Sequence, residues 1–117
     1  VARTIAIDFD GVIHTYKGWR KGFLDVPIPG ILEFIKMLQE RGAEVVVFTT
    51  REVADVQNWL ELYDFPVLRI TNEKLKEFSV FIDDRAVVFH PAFVAQVTGR
   101  EQYVNAIMHF EPHWRDD

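Results

Sequence analysis

The apolar run Ile5-Ala6-Ile7 leads into Asp8-Phe9-Asp10-Gly11: two carboxylates one residue apart, then a glycine. A short apolar run that ends on a turn signal reads as a buried strand, and the glycine as a sharp exit from the sheet. Open α/β sheets place their ligand sites at the carboxyl ends of strands. Side chains alternate along a strand, so Asp8 and Asp10 are expected on one face, with Phe9 packing the other way. Two unit charges about 4 Å apart repel by about 4 kcal/mol at an effective dielectric of 20. A strand end that keeps both carboxylates therefore needs a cation or a proton. The plainer alternative is a polar turn, since Asp before Gly is ordinary turn chemistry.

The rest of the chain repeats this grammar. The first strand is expected over 3–9. Residues 11–28 mix basic, aromatic and glycine residues around Lys17-Gly18 and Lys21-Gly22, the texture of a hairpin-like flap. Ile31, Phe34, Ile35 and Leu38 form one apolar stripe of a helix over about 30–41, which Gly42 should stop. A valine-rich strand over 43–48 ends in Thr49-Thr50-Arg51. A second helix over about 52–63 carries Val53, Val56, Leu60 and Tyr63 on one face. Pro66 ends that unit. A third strand is expected over 67–70, leaving through Thr71-Asn72-Glu73-Lys74. A fourth, over 78–82, ends in Asp83-Asp84-Arg85. Residues 86–89 read as a short strand, with a helical turn after Pro91. Thr98 with Glu101 three residues later reads as a capping box for a last helix bearing Tyr103, Ala106, Ile107 and Phe110. Alternating strands and helices predict an α/β domain with a central parallel sheet and helices on both faces. A chain of 117 residues suits a single domain spanning 1–117.

In a parallel sheet, adjacent strand ends lie about 5 Å apart. Asp8, Asp10, Thr49, Arg51, Asp83 and Asp84 are thus expected to converge, with a lysine from the third strand's exit. Four carboxylates in one pocket repel one another unless a cation sits among them, and magnesium prefers hard oxygen ligands. The hydroxyl, the strand-end amides and the lysine suit a phosphate. A carboxylate facing that phosphate can act as a nucleophile, and a second can move the proton. Cysteine is absent, which excludes thiolate metal sites, and His14, His90, His109 and His113 show no ligand spacing, reading as surface or packing residues. A net charge of -5 argues against binding nucleic acid by bulk electrostatics, while permitting a local basic patch. No apolar run approaches membrane length, so a soluble, cytoplasmic protein is expected, with no membrane partner.

These residues resemble a known family, the haloacid-dehalogenase-like hydrolases. Ile7-Asp8-Phe9-Asp10-Gly11-Val12 is similar to the family's first motif and Val47-Phe48-Thr49-Thr50-Arg51 to its second. Lys74 resembles the third and Phe81-Ile82-Asp83-Asp84-Arg85 the fourth. The resemblance implies a Rossmann-like three-layer sandwich and a magnesium-dependent phosphatase working through an aspartyl-phosphate. Asp8 would be nucleophile and metal ligand. Asp10 would be general acid and base, with its backbone carbonyl on the metal. Thr49 would bind the phosphoryl group, Asp83 and Asp84 would hold magnesium, and Lys74 would bear on the phosphate, with Lys76 the alternative. An aspartate at the position of Asp10 is similar to the phosphatase members rather than the dehalogenases.

The family's cap domain has no room here: residues 11–28 hold a flap, and 51–70 one helix and one strand. Capless members often act on large substrates. Thr50, Arg51, Trp19 and Arg20 are the candidate substrate-binding residues, with Tyr16, Lys17, Lys21 and Phe23 beside them, able to stack on a base and pair with phosphate. The alternative is that the flap's aromatics simply anchor it while its basic residues are solvated. Arg51 and Arg85 equally suit ion pairs that orient the carboxylates. A phosphorylated macromolecule, such as a nucleic-acid end, is one expected substrate. A small nucleotide or sugar phosphate in a site closed by oligomerisation is another. A non-catalytic phosphate-binding domain on the same sheet is a third reading. A receiver domain is disfavoured, because the strand ending at Thr49 carries no aspartate.

Overall fold

Each apolar run with a polar end becomes a parallel strand in the computed structural model, which describes residues 3–19 and 24–115. The chain divides into two compact units, Val1–Asp84 and Arg85–Asp117. The first contains β1 (Thr4–Asp8), α1 (Ile31–Glu40), β2 (Glu44–Phe48), α2 (Val53–Leu62), β3 (Arg69–Thr71) and β4 (Val80–Ile82). The strands form one all-parallel sheet in the order β3-β2-β1-β4. The fold is α/β, as the alternation of patterns predicts.

The third strand starts later than its apolar run. Val67, just after Pro66, is fully exposed, and pairing begins at Arg69 against Val46. The fourth is also shorter, because Phe78 packs into the core before the ladder starts at Val80.

Ile5, Ile7, Val45 and Val47 share one buried cluster with Ile31 and Ile35 of α1 and with Val56, Trp59 and Leu60 of α2. Both helices therefore cover the same face. The reason lies in the strand order: β1, β2 and β3 step in one direction, and right-handed crossovers then put successive helices on one side. The alternate residues Ala6 and Val46 meet Phe78, with Phe48 and Leu75 beside it, so the connection from β3 to β4 packs on the other face. Within this unit the described residues put no helix there, so the expected helices on both faces are not found in it. The helical stripes are also shifted from expectation. Phe34 and Val53 are exposed, while Trp59 is buried at 5% exposure.

Both helices stop in the same way. At the end of α1, Gly42 (φ 88°) donates to Gln39 O and Ala43 to Leu38 O. At the end of α2, Asp64 (φ 59°) donates to Glu61 O and Phe65 to Leu60 O. These are paired bonds of a left-handed helix stop, which glycine takes without strain and aspartate tolerates.

The flap's stem is a short antiparallel pair. Thr15 N donates to Val26 O and Ile28 N to Ile13 O, each 2.8 Å. Arg20, Lys21 and Phe23 lie outside the described residues.

The second unit carries α3 (Ala92–Ala95), α4 (Val97–Met108) and a 3-10 turn, His113–Arg115. Residues 86–89 are not a strand; an apolar run becomes one only where a partner edge pairs with it, and none does among the described residues. Val88 and Phe89 are instead exposed, although Val88 O accepts a 3.0 Å bond from Tyr103 Oη. The helical turn after Pro91 is present as α3. The capping box is not formed: α4 starts at Val97, Gln96 is its cap residue without a side-chain bond, and Thr98 lies inside the helix. No residue of α3 or α4 is buried. Among the described residues, no helix is long and apolar enough to cross a membrane.

Candidate functional site

Register brings the polar strand ends together. Ile7 pairs with Ile82, so Asp8 stands beside Asp83; Asp8 pairs with Phe48, so Thr49 lies one residue beyond. Carboxylate oxygens of Asp8, Asp83 and Asp84 all lie within 4.8 Å of one another. Phe9 turns the other way as alternation requires, fully buried, with its ring 5.1 Å from Trp59 in an edge-to-face contact.

The acidic trio is electrostatically unbalanced. Burial raises the Asp8 carboxyl, and a hydrogen bond with Asp84 and the charges of Asp83, Asp84 and Asp10 raise it further, to about 8. Without a cation, then, Asp8 holds a proton at neutral pH. Three hard oxygen donors at this spacing, with no sulfur or nitrogen among them, fit a hard divalent ion. Asp8 also accepts a 3.0 Å bond from Phe9 N, which orients its carboxylate.

Asp10 is not part of that trio through its carboxylate. Its Oδ1 accepts bonds from His14 Nε2 at 2.6 Å and from Arg51 Nε at 2.7 Å. Burial pushes its carboxyl up, but the hydrogen bonds from His14 and Arg51, together with their charges, outweigh this, and the net shift is down. His14 is fully buried. Its Nε2 faces the Asp10 carboxylate and its Nδ1 faces Asp25 N–H at 3.4 Å, so both ring nitrogens are engaged. Trp59 Nε1 in turn donates to Asp25 O at 2.7 Å, tying α2 to the flap's returning arm. His14, read from the sequence as a surface or packing residue, is packed among aromatic rings and also joins the Asp10 cluster. Its position four residues after Asp10, across a glycine turn, is the signal that could have found it.

Thr49 is buried at 3% exposure, held by its N–H on Thr71 O at 3.0 Å. Its Oγ1 accepts the Arg51 N–H at 3.1 Å, which leaves the hydroxyl proton to donate elsewhere. Thr50 is exposed. The Arg51 side chain is 6% exposed, and the Trp19 ring lies over its guanidinium, 4.6 Å from Cζ. Lys74 and Lys76 are exposed, and the Lys74 ammonium sits 4.9 Å from the centre of the Phe81 ring. The structure thus brings together Asp8, Asp83 and Asp84 in one cluster and Asp10, His14, Arg51 and Trp19 in another. Arg20 lies outside the described residues.

No known family profile matches the sequence, and no curated protein matches it. A solved structure, that of a conserved protein from Bacteroides thetaiotaomicron, is similar with a TM-score of 0.61 and 24% identity, covering 95% of this chain and 100% of that one. At that identity the likeness shows the fold.

Proposed function

We propose that this chain is a capless, magnesium-dependent phosphomonoesterase of the haloacid-dehalogenase type, with a three-layer Rossmann-like arrangement. The observation that carries the reading is the trio Asp8, Asp83 and Asp84, with carboxylate oxygens within 4.8 Å of one another at the carboxyl edge of a parallel sheet. Asp8, Asp83 and Asp84 would hold magnesium, together with the backbone carbonyl of Asp10. When bound, the ion supplies the positive charge that keeps Asp8 ionised and offsets charge on the phosphoryl oxygens.

Asp8 attacks phosphorus through a carboxylate oxygen, the phosphorus–oxygen bond to the leaving alcohol breaks, and an aspartyl-phosphate forms. Asp10 is the proton carrier: the leaving oxygen takes a proton from it, and the water that opens the acyl phosphate gives one back. Both donors to Asp10 converge on Oδ1, leaving Oδ2 to exchange that proton. The depressed Asp10 carboxyl favours the base form, which suits the hydrolysis step and makes leaving groups that need little proton help the better substrates. Thr49 donates its hydroxyl to a phosphoryl oxygen. The stacking of Lys74 on Phe81 leaves its ammonium to swing toward a bound phosphate, and Lys76 remains the alternative.

The substrate is a phosphate ester presented to an open strand edge, a phosphorylated macromolecular end or a small phosphate closed in by a second copy. The protein is expected to hydrolyse nitrophenyl phosphate with magnesium and to stop on adding EDTA. Asp8→Asn is expected to fold with unchanged circular dichroism and to show no turnover. Wild-type activity in folded Asp8→Asn would remove the nucleophile assignment. A panel of nucleotides, sugar phosphates and 3′- or 5′-phosphorylated oligonucleotides names the substrate class.

A further inference from the structure

Arg51 is more completely buried than an arginine needs to be for the one ion pair it makes. Its Nε is satisfied by Asp10 at 2.7 Å, and its backbone N–H by Thr49 Oγ1. Its Nη2 is buried and, among the described residues, has no hydrogen-bond partner. A guanidinium nitrogen carries two N–H donors, and leaving them buried and unmade is among the costlier defects a fold can carry. The side chain cannot simply withdraw to solvent, because the Trp19 ring lies over the guanidinium at 4.6 Å and Asp10 holds the other edge. The guanidinium plane is therefore fixed with one donor edge used and one waiting. The adjacent Thr49 hydroxyl is in the same condition: its oxygen already accepts, and its proton remains to be donated.

Two fixed donors, one of them charged, call for an acceptor with several oxygens and negative charge. Planar forked donors match phosphate oxygens closely. We propose that Arg51 divides its guanidinium between protein and substrate: Nε locks Asp10 in place, and Nη2 binds a non-bridging oxygen of the phosphoryl group, while Trp19 holds the plane that serves both. The choice of phosphate over another oxyanion rests on the phosphatase reading above. The consequence is a mechanical coupling. The residue that binds the phosphoryl oxygen also sets the distance from that group to the proton carrier, so an anion lacking the oxygen that reaches Nη2 would bind without being aligned to Asp10.

The test uses the whole protein with magnesium and inorganic phosphate as the probe. Arg51→Lys keeps the charge, and its single ammonium can pair with Asp10, but it has no second edge. Calorimetry is expected to show phosphate binding weakened about ten- to a hundredfold in Arg51→Lys, the loss of a hydrogen bond to a charged group. A residue that only orients Asp10 would instead lower kcat and leave the phosphate Kd within about twofold, and that result overturns the proposal. Should Arg51→Lys fail to fold, nitrogen-15 spectra of the wild-type arginine side chains answer the same question. One guanidinium is expected to shift and exchange more slowly at saturating phosphate, and unmoved arginine signals overturn the proposal. Trp19→Phe, which keeps a ring over the guanidinium, should bind phosphate nearly as wild type does but lose any phosphate-dependent change in tryptophan emission. Wild-type protein that neither binds phosphate nor hydrolyses any phosphomonoester defeats the phosphatase reading and this assignment together. An active wild type whose Arg51→Lys variant keeps its phosphate affinity defeats this assignment alone.

Discussion

Asp8 and Asp10 are separated by one residue, yet the fold puts them in opposite electrical surroundings. Around Asp8 stand Asp83 and Asp84 from the end of β4, and burial with these neighbours raises its carboxyl to about 8. Around Asp10 stand His14 from the flap's rising arm and Arg51 from the end of β2, and despite its burial their hydrogen bonds and charges lower its carboxyl. Their covalent setting is the same; what differs is which distant segment the topology brings alongside. Pairs of titratable groups pushed apart in this way mark a division of labour. Near neutral pH Asp8 needs a cation to become a carboxylate, whereas the protein itself keeps Asp10 one.

The sharpest way to break this division is Asp10→Asn. It should still bind phosphate, while kcat falls about 10²–10⁴-fold, the usual share of general acid–base help. The loss should be larger for alkyl phosphates than for nitrophenyl phosphate, whose leaving group needs no proton. Equal losses in steady-state kinetics would take the proton-carrier role from Asp10. A gentler perturbation is His14→Phe, which keeps a ring against Phe9, Trp59 and Tyr16 but removes the Nε2–H. Expected are a fall in kcat of about tenfold with KM little changed, and a drop in Tm, from the lost bonds to the Asp10 carboxylate and from Asp25 N–H.

A separate test reads stability rather than turnover. Asp8 in the metal-free folded protein keeps its proton up to about 8, whereas in the unfolded chain it loses it near 3.8. Between those values the folded state binds more protons, so stability should fall as pH rises through that window. Asp10 acts with the opposite sign: its depressed carboxyl contributes stability above the ordinary value of 3.8, lost as pH falls through its folded value. Metal-free melts should therefore show Tm declining from about pH 4 to pH 8, a decline that Asp8→Asn removes. Magnesium should raise Tm more at pH 8 than at pH 5, and equal metal effects at both would contradict the unbalanced trio.

Local signals account for most of what could be read in advance. β1, β2 and the two helices on their face follow from apolar runs, a 3.6-residue stripe and Gly42. The convergence of Asp8, Asp83 and Thr49 follows from strand ends meeting in a parallel sheet. What could not be read depends on side chains choosing among neighbours. Nothing in the spacing of Asp10 says that its carboxylate turns to His14 and Arg51 rather than to the other acids. Trp59 is legible but left out of the expected stripe: with Val56, Leu60 and Tyr63 it completes an i, i+3, i+4, i+7 pattern, and it is buried where Phe9 and the backbone of Asp25 meet it. The strand read over 86–89 failed although its pattern was sound, because no partner strand among the described residues pairs with it. The capping signal at Thr98 failed because α4 had already started at Val97.

The sheet order carries one more implication. β1 has neighbours on both sides, while β4 is a three-residue strand at the sheet's edge. Edge strands open locally long before a central strand does, so the amides of β4 exchange through small fluctuations and those of β1 only when the whole sheet comes apart. The acidic trio straddles that difference, with Asp8 on the slow strand and Asp83 and Asp84 just past the fast one. Without an ion, the hydrogen bond between Asp8 and Asp84 links the two strand ends while Asp8 keeps its proton. A divalent ion among the three carboxylates would take over that link as a clasp, tying an edge strand to a central one and lengthening the lifetime of the closed edge.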